Sequence, residues 1–177
     1  MTLAVALLMA VQAAAPVDLG PVLQFRRPAH CDPGPVLSRI YDDMLEVDSV
    51  TGDALQPPPV SVPGFAAPIT PRFERVRRLE DGADMREVTI ELPLSGRWHG
   101  LRVTAVRMYF MEESDVGSRD IVFAETPAVV RRQLNRAGFR LPPPGNWRVI
   151  EPGRTEITLE IGVHRDERGV ALICSQG

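Results

Sequence analysis

The chain of 177 residues has no lysine; all twenty basic residues are arginine, and 23 acidic residues leave a formal net charge of −3. A slightly acidic chain offers nucleic acid no whole-molecule attraction, so no nucleic-acid partner is expected. The missing lysine reads as a compositional habit rather than as chemistry. Cysteine is scarce: Cys31 and Cys174 are the only two. They lie too far apart for a CxxC redox pair or a zinc knuckle. Each of the three histidines, His30, His99 and His164, lacks a second ligand at the spacing of a recognised metal motif. The sequence also lacks G-x-S-x-G, a glycine-rich phosphate loop, a nucleophile elbow and any usable internal repeat. The carboxylates Glu112, Glu113, Asp115 and Asp120 miss the D-x-D-x-D-G spacing of a calcium loop, so they read as solvated surface. No catalytic residue, metal or cofactor is assigned.

No apolar run is long enough to span a bilayer. The opening stretch, MTLAVALLMAVQAAA, is instead the h-region and small-residue end of a secretory signal peptide over residues 1–15, with cleavage preferred after Ala13. It departs from the usual pattern in having no Lys or Arg ahead of the apolar run. Export to a periplasmic or extracellular compartment changes what the cysteines mean, because there Cys31 and Cys174 are most simply one disulfide. In the chain-entropy model such a long loop closure stabilises by about 4 to 5 kcal/mol.

Beyond the leader the reading is an N-terminal extended lead over residues 16–35 that wraps the surface, then a single domain over 36–177. In PVLSRIYDDMLEVD, Val36, Leu37, Ile40, Tyr41, Met44 and Leu45 recur at helical spacing with Asp42, Asp43 and Glu46 outside, an amphipathic helix. Residues 49–71, with Pro57, Pro58 and Pro59 in a row, form a surface connection. Arg72–Glu80 fits helix or strand, and the Asp81-Gly82 turn favours a strand in a hairpin.

Val88, Ile90 and Leu92 alternate with polar residues, Leu94–Gly100 turns the chain, and Leu101–Met111 returns it. Leu101, Val103 and Ala105 share one parity and Val106, Met108 and Phe110 the other, the mark of a β-bulge. Glu112–Arg119 reads as loop and Ile121–Ala124 as a short strand. A helix follows, with Thr126 at the N-cap, Pro127 at its first position, Val130, Leu134 and Ala137 on its buried face and Gly138 as a left-handed stop. Trp147–Ile150, Thr155–His164 and Val170–Cys174 complete the strands, the last two as a hairpin. The fold class is α+β: an antiparallel sheet of about six or seven strands with one or two helices on one face.

Two surface features are candidates for binding. The tract Arg131, Arg132, Arg136, Arg140 and Arg148 carries no acidic residue between Glu125 and Glu151, and residues 132 and 136, one turn apart, present paired guanidiniums to an acidic protein surface or an anionic small ligand. The plainer reading is a solvated outer helix face. Trp98, beside Arg97 and His99, is a contact residue if exposed and core if packed, the commoner fate of tryptophan. The resulting expectation is an exported, non-enzymatic binding or envelope-associated protein. The alternative is a small exported hydrolase-like enzyme using His99 or His164 with Glu112 or Asp120.

Overall fold

A computed structural model describes residues 16–45, 57–80, 83–112, 116–151 and 158–176. The expected leader, residues 49–56 of the Pro-rich connection and residues 155–157 of the expected strand lie outside them. In chain order, β1 (Phe25–Arg27) and β2 (Asp32–Pro33) form a small ribbon, followed by α1 (Pro35–Leu45). Then come β3 (Arg72–Glu80), β4 (Ala83–Trp98), β5 (Leu101–Met111) and β6 (Gly117–Phe123). The chain ends with α2 (Pro127–Arg136), β7 (Trp147–Glu151), β8 (Leu159–Asp166) and β9 (Gly169–Gln176). The large sheet has seven strands in the order β3-β4-β5-β6-β9-β8-β7, with every neighbour antiparallel. The fold is α+β, as its alternating strands and two amphipathic helices require.

Both helices cover one face of that sheet. α1 buries Leu37, Ile40, Tyr41 and Met44, and α2 buries Val130 and Leu134 against β8 and β9. Gly138 at φ +94° lets the α2 C-terminus close by a Schellman pair: the Phe139 N–H donates to the Leu134 carbonyl and the Gly138 N–H to the Asn135 carbonyl, both at 3.1 Å. Phe139 is thereby turned into the core. At the other end Thr126 takes the N-cap position in extended conformation with Pro127 following it, as expected. The Thr126 hydroxyl makes no capping bond, and its carbonyl alone accepts from the N–H groups of Val129 and Val130.

Under the helices, one register row runs Leu92, Val106, Ile121, Leu172 and Val163 across five strands, all buried. The expected phase change in β5 is present: Val103 and Val106 share the covered face, and the register shifts between Val103 and Ala105. The partner strand shifts as well, between Pro93 and Gly96, and this corrects the turn read over Leu94–Gly100. β4 continues through the bulge to Trp98, and His99 (φ 49°) with Gly100 (φ 78°) makes a two-residue hairpin turn. Gly96 is required by close approach rather than by turning, since a Cβ there would lie 2.6 Å from the Val17 carbonyl oxygen.

The lead that makes this approach does not simply wrap the surface. Leu19 donates its N–H to Arg97, Arg97 donates back to Val17, and Leu19, Val22 and Leu23 are buried in the core. Residues 117–119, expected in a loop, belong to β6. The disulfide Cys31–Cys174 is formed and joins the lead to β9. Among the described residues no helix is long and apolar enough to cross a membrane.

Candidate functional site

The uncovered face of the sheet carries charge. A single register row runs from β3 to β7 as Arg72, Glu91, Arg107, Asp120, Ile173, Gly162 and Trp147. Arg72 pairs with Glu91 at 3.3 Å, and Arg107 Nε donates to Asp120 at 2.8 Å. The second pair is sealed, with side chains only 7% and 3% exposed. Beside it Ala105, Val122 and Ala171 form a small buried patch. The β8–β9 hairpin tip folds across this face, so that Asp166 meets Arg107 at 2.7 Å and Arg168 meets Glu74. Burial pushes the Asp120 carboxyl above the usual carboxylate range, against the pull of Arg107. The pair is thus a structural joint, since Arg107 is shared between the Asp120 and Asp166 carboxylates.

The catalytic pairings considered for the sequence do not assemble. His99 caps the β4–β5 hairpin while Glu112 follows the far end of β5, a separation of about 35 Å along an eleven-residue strand. Glu112 is held by Arg75 at 2.6 Å, and Glu113 and Asp115 lie outside the described residues. His164 shares a face with Asp120, but its ring stacks on Trp147 at 4.0 Å and donates a hydrogen bond to the Asn146 backbone carbonyl. Burial lowers the pKa of both His99 and His164.

The binding candidates divide. Trp98 is 3% exposed, on the covered face among Phe25, Phe123 and Phe139, so it offers no contact surface. Arg131 donates to the Leu141 carbonyl at 3.3 Å and stitches α2 to the chain beyond it. Arg136 donates to Gln133, Arg132 and Arg136 are exposed on the outer side of α2, and Arg140 sits at φ 56° with its side chain exposed. Arg148, in the same arginine-rich stretch, is structural: it donates to the carbonyls of Ala29, Phe139 and Arg140 and so ties the lead to β7.

Sequence reasoning missed a cavity of about 390 Å³ on the covered side, at the end of the sheet away from the β4–β5 turn. Its walls are gathered from along the chain: Phe25 and the Cys31–Cys174 bridge, Tyr41 and Leu45 of α1, Met108 and Phe110 of β5, and Ile150 with Leu159 of β7 and β8. Tyr41 is buried, which pushes its hydroxyl well above its ordinary pKa and keeps it neutral. Arg119 of β6 shares a register row with Met108 and Cys174, and its guanidinium lies 5.5 Å from the centre of the Tyr41 ring. The size and the aromatic, aliphatic lining are those of a small-molecule pocket. The signal for it is long-range, and Arg119 closes the polar stretch Glu112–Arg119 that the sequence marks as loop. No family model matches the chain, and no curated protein or solved structure matches it either.

Proposed function

We propose that the protein is an exported, non-enzymatic binding protein that holds an apolar small molecule in the cavity beside Cys31–Cys174. The cavity carries this reading: about 390 Å³ walled by Phe25, Leu45, Met108, Phe110 and Leu159 is space that apolar ligand surface fills favourably. Export is supported by the apolar opening run of residues 1–15 and by the bridge, which persists where thiols are not kept reduced. Binding rather than catalysis is supported by the fate of the named acid and base groups, which are held by Arg107, Arg75 and Trp147.

Two measurements test the two halves. Titration with the uncharged dye Nile red should give saturable binding that Met108→Trp abolishes by filling the cavity and that Arg132→Glu leaves intact. Dye binding indifferent to Met108→Trp overturns the cavity assignment. Deleting residues 2–13 should hold the protein in the cytosol with both thiols titratable; undiminished export of that variant overturns the compartment.

A further inference from the structure

The cavity wall is mostly apolar, with His30, Ser118, Glu160, Ser175 and Gln176 among its polar lining, and Arg119 brings it a guanidinium. By parity Arg119 projects to the covered side with Met108 and Cys174, yet it is exposed, which sets it at the mouth rather than the floor. The Tyr41 ring face attracts its guanidinium but does not neutralise it. Among the described residues no carboxylate makes an ion pair with Arg119, although Arg26, Arg72, Arg75 and Arg107 all have one. Glu160, the acid on the same rim, alternates with Leu159 and Ile161 along β8 and so belongs to the opposite face of the sheet.

A guanidinium at the mouth with a planar fork of donors suits a carboxylate, and the Phe25, Met108 and Phe110 walls behind it suit a hydrocarbon chain. We infer that the cavity takes a single-chain amphiphile with a carboxylate head, the head on Arg119 and the tail running inward along Met108 and Phe110 toward the disulfide. This rests on the cavity reading above and adds the ligand's charge and orientation. Arg119 then serves two partners in turn: the Tyr41 ring when the site is empty, and the carboxylate above it when filled.

The test is competition for Nile red by decanoate and by decan-1-ol, which share the tail and differ in the head. The full chain should bind decanoate about tenfold more tightly than the alcohol, the discrimination of one charge-assisted hydrogen-bonded contact. Arg119→Gln should remove that preference, bringing decanoate to the affinity of the alcohol, and Arg119→Lys should restore part of it. Equal affinities in the unmodified protein, or a preference that survives Arg119→Gln, overturn the assignment. If the alcohol binds and no preference exists, the cavity reading stands and only the head-group contact falls. If neither binds and Nile red does not either, both fall together.

Discussion

On the helix-covered face, Leu92, Val106, Ile121 and Leu172 cross the sheet as uninterrupted hydrocarbon; one residue along the same four strands, Glu91, Arg107, Asp120 and Ile173 cross the other face. The first row is buried by two helices and the second by a hairpin tip bent over it, and they differ in what holds them. Hydrocarbon burial is non-directional and tolerates slippage of contacts, whereas the Arg107–Asp120 pair has one geometry and a high cost if half of it is lost. The lesson is that one sheet carries both kinds of glue, and that the directional kind sits where no helix provides cover.

Changes on each face should separate these contributions. The largest effect is expected from Asp120→Leu, which leaves Arg107 buried with Asp166 alone and should cost about 4 kcal/mol by urea denaturation. Adding Arg107→Met should recover most of that loss, and a double variant as unstable as the single one would show that packing rather than charge governs this face. Leu134→Ala on the covered face should cost about 3 kcal/mol, with no single second change able to restore it.

A smaller effect is expected at His164. Burial lowers its pKa, so the fold favours neutral imidazole; that contribution is complete above the ordinary value of 6.5 and is lost as pH falls through the lower folded value. Tryptophan fluorescence should report a step with a midpoint below 6.5; the part that arises through the 4.0 Å stack on Trp147 is lost in His164→Gln, while the part from His99 on Trp98 remains. The smallest effect belongs to Thr126→Ala, which removes no capping bond and should shift stability by less than about 0.5 kcal/mol.

The elements legible in the sequence were those whose cause is local. α2 announces itself by Pro127, Gly138 and the spacing of Val130 and Leu134, and the last hairpin by the Arg165–Gly169 turn. The two cysteines could be paired because only one bridge was available to them. What was misread depended on distant chain. Pro93 and Gly96 look like breakers, yet the first sits past the end of β3's pairing and the second makes room for Val17. The lead seemed peripheral because nothing near Leu19 or Leu23 in sequence indicates the Arg97 backbone they dock against. The cavity was invisible for the same reason, its walls being gathered from residues 25 to 174. Trp147, read simply as the start of a strand, is the more exposed tryptophan at 42%.

The bridge between Cys31 and Cys174 spans 143 positions of sequence. A protease that nicks any loop between those two residues therefore releases nothing: the pieces stay covalently linked and migrate as one species until a reductant is added. Single-site damage thus leaves both fragments tethered at the wall of the same cavity.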